Sequence, residues 1–201
     1  MHPASAFHES DPQRLGTLVA KVGLALIIGV REGRPQVAHA PVLLAEGRLR
    51  FHLSRANPLA TALGDAGRGL AVVTGPETYV SPDWYGIDDQ VPTWNYLSAE
   101  IEGPLRVLGD GEATTLLDDL SAAFEARLAP KPPWTRAKMS PGRFEAMLGG
   151  ITGFEMQVER LEGVRKLSQN KSADAQGRLA NALFERGGED ASALARLIVK
   201  G

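Results

Sequence analysis

The stretch Arg48-Leu49-Arg50-Phe51-His52-Leu53-Ser54 alternates without a break: Leu49, Phe51 and Leu53 on one side, Arg48, Arg50, His52 and Ser54 on the other. A period of two marks a half-buried antiparallel strand, one face on a core and the other in polar surroundings. Glu46-Gly47 joins it by a tight turn to a run over 36–44. Arg31-Glu32-Gly33-Arg34 joins that run to 24–30, where Leu24, Leu26 and Ile28 alternate. Three strands linked by tight turns form a meander rather than βαβ units, so the sheet is expected to be antiparallel.

Helical patterns lie on either side of this meander. Asp11-Pro12 reads as a cap and first helical position, followed by Leu15, Leu18, Val19 and Val22 at helical spacing. Asn57-Pro58 opens a short helix to about Leu63, and 69–74 is another apolar strand. Residues 75–93 hold Pro76, Pro82, Gly86 and Pro92 and read as irregular, while 94–108 reads as a long strand interrupted or bulged near Gly103-Pro104. Leu116, Leu117, Leu120, Phe124 and Leu128 stripe a helix that 130–133 ends. A short helix restarts at Ser140-Pro141, and 151–161 reads as the last strand. Ser172 caps a tail of two helices, marked by Leu179 and Leu183 and then by Leu194, Leu197 and Ile198, with a break at Gly187-Gly188. The expectation is a mainly β fold with peripheral helices (α+β), its antiparallel strands closed or nearly closed into a barrel because closure removes exposed edges. One domain is expected over 1–171, with the tail 172–201 packed on it.

Composition narrows the chemistry. The chain of 201 residues has no cysteine, which excludes disulfides, thiol nucleophiles, iron–sulfur ligation and cysteine-based zinc sites. Its net charge of −2 gives no overall basic surplus for phosphate-backbone contacts. The longest apolar run, 22–30, is too short to span a bilayer and is broken by Gly23 and Gly29. The first eleven residues lack the basic and apolar regions of a signal peptide, and a cytoplasmic protein is expected. His39 and His52 lie on adjacent expected strands without a carboxylate at convincing spacing, so no metal site is expected.

Three segments carry chemistry. In Phe51-His52-Leu53-Ser54-Arg55-Ala56-Asn57-Pro58 a strand ends in hydroxyl, guanidinium and amide groups where a helix begins, the make-up of a phosphate site or of a plain Asn-Pro cap with a surface arginine. Residues 79–85 and 91–96 hold Tyr79, Trp84, Tyr85, Trp94 and Tyr96, five of the twelve aromatics. They suit a planar polar ligand, or an aromatic cluster that pins a long loop. Arg165-Lys166-Leu167-Ser168-Gln169-Asn170-Lys171-Ser172 sets three cations and two carboxamides ahead of a helix, as a phosphate or ring-edge contact or as a solvated linker.

Taken together and in order, Ala38-His39-Ala40-Pro41-Val42, 52–58, 79–85, Val91-Pro92-Thr93-Trp94-Asn95-Tyr96 and Lys166-Leu167-Ser168-Gln169-Asn170-Lys171 resemble the pattern of the PaiB-type FMN-binding negative transcriptional regulators. The likeness runs from the first helix to about Lys171. It implies an FMN-binding split barrel, a homodimer with flavin near the subunit interface, and negative regulation of transcription. It also marks as candidate flavin contacts His39, Ser54, Arg55, Asn57, Trp84, Thr93, Trp94, Asn95, Gln169 and Lys171. Of these, Arg55 and Asn57 would lie near the phosphate and Trp84, Trp94 and Asn95 near the ring. Gln169 and Lys171 would approach from the far side or from the partner subunit. No helix reads as a basic recognition helix, so any contact with DNA would use a surface that the sequence does not reveal. Two other classes stand beside this reading: a small FMN-dependent oxidoreductase, like the flavin reductases or pyridoxamine-phosphate oxidases, and a non-flavin interaction protein on the same barrel. Haem held through His39 or His52 is a further variant.

Overall fold

The computed structural model describes residues 3–200. In chain order the elements are β1 (His8–Glu9), α1 (Pro12–Val22), β2 (Leu24–Arg31), β3 (Arg34–Ala45), β4 (Arg48–Ser54), α2 (Pro58–Ala66), β5 (Arg68–Val80), β6 (Thr93–Val107), α3 (Asp110–Glu125), α4 (Arg143–Leu148), β7 (Ile151–Gln157), β8 (Arg160–Lys166), α5 (Ala173–Arg186) and α6 (Glu189–Lys200). The class is the expected one, an antiparallel sheet of eight strands with helices around it. Two compact units divide the chain. A helical unit draws on Met1–Leu18, Thr74–Ala99 and Leu161–Gly201, and a barrel unit on Val19–Val73 and Glu100–Arg160. Strands β5 and β6 contribute residues to both.

The barrel unit is a sheet returned on itself. Its strands follow the order β6-β5-β2-β3-β4-β7, and β7 pairs again with β6 through Leu105↔Met156 and Val107↔Phe154. The period of two read in β4 puts Leu49, Phe51 and Leu53 in the interior, Leu49 opposite Met156 and Phe51 opposite Phe154 and Val42 on the neighbouring strands, and Ala25, Ile27 and Ile101 are buried as well. Phe51 and Phe154 are cross-strand partners, and their rings stack with centroids 5.3 Å apart. Helix α2 packs on β2 so closely that a Cβ at Gly29 would lie 2.8 Å from Leu63 and 2.9 Å from Leu59. Helix α3 adds a second small core of Leu108, Ala113, Leu116 and Leu120.

In the helical unit, α5 and α6 bury Leu179, Leu183, Leu194 and Ile198 against Val80, Tyr85 and Leu167. Ser172 caps α5 by accepting the Ala175 N–H at 3.4 Å. Strand β1 pairs with β8 through His8↔Val164 and Glu9↔Gly163. At Gly163 a Cβ would sit 2.2 Å from the Ser98 carbonyl oxygen and 2.5 Å from the Leu15 side chain, so glycine permits a close approach there. Among the described residues no helix is long and apolar enough to cross a membrane.

Three local expectations change. Residues 75–80, read as irregular, continue β5. The run 151–161 is two strands, β7 and β8, turned at Val158-Glu159, whose N–H groups donate to the carbonyls of Gly47 (2.9 Å) and Glu102 (3.0 Å). Strand β6, expected to be interrupted or bulged near Gly103-Pro104, runs through these residues without interruption. The glycine there serves that turn instead, because a Cβ at Gly103 would lie 1.8 Å from the Gln157 carbonyl oxygen.

Candidate functional site

In the helical unit the aromatic segments separate into a buried knot and an exposed edge. The end of β5 and a short 3-10 turn over Pro82–Tyr85 bring Tyr85 into the core, 2% exposed, where its hydroxyl meets Ser168 Oγ at 2.7 Å. Asn95, on β6 and fully buried, donates through Nδ2 to the same oxygen at 3.0 Å and accepts from it through Oδ1 at 3.2 Å. Ser168 is held at φ 61°, a conformation that its Oγ contacts help to fix. Burial pushes the Tyr85 phenol up, and the Ser168 hydrogen bond only partly opposes this. Arg178 closes the knot by donating from Nε to the Tyr85 carbonyl at 2.7 Å.

The residue before Asn95 on β6 faces the other way. Trp94 is 52% exposed and meets Tyr79, 42% exposed, edge to face with ring centroids 6.3 Å apart. Trp84 is half-buried against the helical core. Thr93 accepts from Lys166 Nζ at 2.7 Å, which leaves its own hydroxyl proton free to donate. Burial pushes the Lys166 ammonium down from its ordinary range. Lys171 donates to Gln90 Oε1 and lies 5.3 Å from the centre of the Tyr85 ring. Gln169 is committed to the backbone: its Oε1 accepts the Leu167 N–H, and its Nε2 donates to the carbonyls of Ala6 and Arg165.

In the barrel unit, Ser54 ends β4 exposed, and its carbonyl accepts the Asn57 N–H at 2.9 Å. Asn57 Oδ1 accepts the Leu59 N–H at 3.0 Å, so the amide caps α2, and Pro58 brings no N–H of its own. Arg55 leans across to β7, donating from Nη2 (3.1 Å) and Nε (3.4 Å) to the Ile151 carbonyl, with its head exposed. These three residues are brought together at one strand end. His39 is exposed on β3 opposite Leu26. His52, on β4 opposite Gly153, holds a buried Nδ1 without a hydrogen-bond partner among the described residues, and burial pushes its imidazole down. No cluster of potential metal ligands occurs among the described residues.

Sequence reasoning did not single out Ser168 or Tyr79. Ser168 sits inside a segment read as cationic, and its positive φ leaves no trace in residue type. Tyr79 was legible as an aromatic, but its exposure follows from where β5 ends.

Comparison with known proteins adds an independent finding. The model of a family described as "Putative FMN-binding domain" matches residues 1–160. The chain is 26% identical over 176 residues to the protease synthase and sporulation protein PAI 2 of Bacillus subtilis, covering 86% of this chain and 84% of that protein. Among solved structures it is similar to an FAD and heme binding protein from Mycobacterium smegmatis, with a TM-score of 0.60 and 19% identity over 90% of this chain and 80% of that one. The flavocytochrome Anf3 from Azotobacter vinelandii gives a TM-score of 0.65 and 13% identity over 83% of this chain and 72% of that one. At these identities the two structures speak for the fold alone. With the family model spanning most of the chain and the curated relative running along it, the protein belongs to the PaiB-type FMN-binding family, and its cofactor is FMN or a related flavin.

Proposed function

We propose that the chain is an FMN-binding regulatory protein of the cytoplasm, in which flavin occupancy or redox state is converted into negative control of transcription. The observation that carries the flavin part is the exposed edge of Trp94 and Tyr79, set on strands that a buried polar knot holds fixed. The donor set fits such a ligand: aromatic faces for a ring, and hydroxyl and guanidinium groups for a phosphate. Bound flavin would supply hydride and electron chemistry. The chain's own residues hold and orient it. In the helical unit Trp94 and Trp84 offer ring faces, Thr93 and Lys171 offer polar contacts, and Asn95 and Gln169 act as positioning residues through the bonds described above. In the barrel unit, taken by itself, Ser54 and Arg55 offer donors suited to a phosphate, Asn57 positions that strand end by capping α2, and His39 offers an exposed imidazole. The regulatory part is supported by the likeness to the sporulation protein along most of the chain.

A second copy of the chain is the proposed partner. It would cover the outer face of β2 and β3, where Leu24, Val30 and Val37 stand exposed.

The test is a titration of flavin-free protein with FMN, riboflavin and haem, followed by quenching of flavin fluorescence. One FMN per chain is expected. Arg55→Ala should weaken FMN by about 10- to 100-fold, the worth of one charge-assisted hydrogen bond, and leave riboflavin unchanged. Equal loss of both ligands removes Arg55 from the phosphate. A dimer that fails to shift DNA from its own promoter region, with and without FMN, removes the regulatory half.

A second reading, a small FMN-dependent oxidoreductase, is favoured by a cleft of about 650 Å³ in the barrel unit between α3 and residues 129–137, with Trp134, Asp118 and Arg136 in its wall. Its size suits a small organic substrate. Steady consumption of NADH or NADPH by the flavin-loaded protein with a substrate panel would favour this reading over the first.

A further inference from the structure

We propose that a pocket of about 240 Å³ in the helical unit, walled by Arg14, Arg165, Glu9 and Gln169 over a floor of Leu167 and Ile198, binds a small oxyanion of the phosphate or sulfate type. The site goes beyond the flavin reading and rests on Arg165 and Arg14, neither of which that reading uses.

The argument starts from β8. Pairing of Val164 with His8 and of Gly163 with Glu9 fixes the strand, and Arg165 follows it as a half-buried side chain. Its guanidinium forms no salt bridge and no side-chain hydrogen bond among the described residues. A guanidinium stays charged inside a protein, so a half-buried one without an acceptor carries an uncompensated desolvation cost. Burial pushes Arg165 down from its ordinary range, the charge of Arg14 pushes it further, and Glu9 only partly offsets them. Glu9 is already committed, with Oε1 accepting the Asp11 N–H at 3.0 Å and Oε2 accepting from Arg14 Nη1 at 3.3 Å.

The walls are preorganised. Both oxygen and nitrogen of the Gln169 amide are tied to the backbone, and Gln176 Nε2 donates to the Lys171 carbonyl at 2.8 Å. Neither amide needs the pocket for its own hydrogen bonds. What remains is a rigid, partly apolar cavity into which two guanidinium groups bring donors that exceed the acceptors. Planar forks of this kind recognise oxyanions through paired N–H···O bonds, and the apolar floor strengthens each of them. The oxyanion has two sources, a free inorganic ion or the terminal phosphate of FMN, the second of which would move that phosphate from Arg55 to this pocket.

The experiment is thermal unfolding of the intact protein in sulfate against chloride at equal ionic strength. It is run on wild type, Arg165→Met, Arg165→Lys and Arg14→Met, with the FMN-to-riboflavin affinity ratio measured on the same proteins. Wild type should show a saturable rise in Tm with sulfate. Arg165→Met should lose it, and Arg165→Lys, which keeps charge without the fork, should need about ten times more sulfate. Without sulfate, Arg165→Met should melt at or above wild type, because it keeps the apolar stem and removes the repulsion from Arg14. A fall in the FMN-to-riboflavin ratio in Arg165→Met, together with competition between FMN and sulfate, identifies the flavin phosphate as the source. Additive stabilisation by FMN and sulfate, with an unchanged ratio, identifies a free anion. An equal sulfate effect in wild type and Arg165→Met, or no excess of sulfate over chloride, overturns the site. A protein that binds sulfate here but no flavin would sink the flavin reading and leave this one standing.

Discussion

Replacing Ser168 with alanine removes one oxygen on which two buried groups depend. The Tyr85 hydroxyl lies 2.7 Å from it and the Asn95 amide nitrogen 3.0 Å from it, with Tyr85 2% and Asn95 0% exposed. Losing the oxygen therefore does more than delete a hydrogen bond. It strands a phenol and an amide where water does not reach, at about 1–3 kcal/mol for each orphaned group. Ser168→Ala should cost about 3 kcal/mol, which for a chain of this size lowers Tm by roughly 6–12 °C. Tyr85→Phe should cost only about 1 kcal/mol, since Ser168 keeps its bonds to Asn95. The double variant should be less destabilised than the two single losses added together, because no phenol is left to strand; a shortfall of about 1–2 kcal/mol is expected. Urea unfolding of the four proteins, read by tryptophan fluorescence and far-UV circular dichroism, measures all these terms. Strict additivity, or a Ser168→Ala cost below about 1 kcal/mol, would mean that the three side chains do not act as one network.

Other positions give opposed signs. Gly103→Ala should destabilise by about 3–5 kcal/mol, because its Cβ would meet the Gln157 carbonyl oxygen at 1.8 Å and the backbone must move. Gly64→Ala in α2, where the nearest atom is 3.9 Å away, should instead stabilise by about 0.5–1 kcal/mol; the order of the two urea midpoints checks both. The folded-state pKa of His52 lies below its ordinary 6.5, so the unfolded chain takes up the proton first and stability falls as pH drops through 6.5 towards the folded value. His52→Gln should flatten that limb, seen as a smaller difference between urea midpoints at about pH 8 and about pH 5. Glu112 is held at about 2, first by Arg106 and then by the Gly109 N–H, so its contribution is present above the unfolded-state value and is lost progressively as pH falls from there through about 2. Arg106→Gln should move the Glu112 carboxyl resonance midpoint up towards 4.5, and an unmoved midpoint would refute the pairing.

The parts of the fold that sequence revealed are those where two faces of one element meet different surroundings. Strand β4 was legible to the residue because Leu49, Phe51 and Leu53 need a core and their neighbours do not. The cap at Asn57 and the helix break at Gly187-Gly188 were legible because each uses a residue type suited to one backbone task. The continuation of β5 was hidden because Gly75-Pro76 resembles a turn. The glycine is there for a tertiary reason, since a Cβ would lie 2.7 Å from Leu18 and 3.1 Å from Leu97. The turn between β7 and β8 was hidden for the converse reason: Gln157-Val158-Glu159 contains no turn former, and its shape comes from hydrogen bonds to distant strands. At the candidate site, residue type pointed to one aromatic cluster, which the structure divides into a buried knot at Tyr85 and an exposed edge at Trp94 and Tyr79. It could not tell Trp94, which faces outwards, from Asn95, whose amide is spent on Ser168, because that choice depends on a partner seventy-three positions away in the sequence.

The helical unit is assembled from three separated lengths of chain, Met1–Leu18, Thr74–Ala99 and Leu161–Gly201, and this has a consequence for synthesis. On a ribosome the barrel unit's last residue, Arg160, is made before β8, α5 and α6 are complete. The barrel strands can therefore pair while residues 74–99, already emerged, wait for the segment that covers Val80 and Tyr85. During that interval the nascent chain displays Val80 and Tyr85 without the helices that bury them, the kind of apolar surface on which chaperones act. A ribosome stalled within α5 or α6 would leave paired barrel strands and an incomplete helical unit, so stop codons placed within α5 or α6 should yield aggregation rather than a shortened but well-behaved protein.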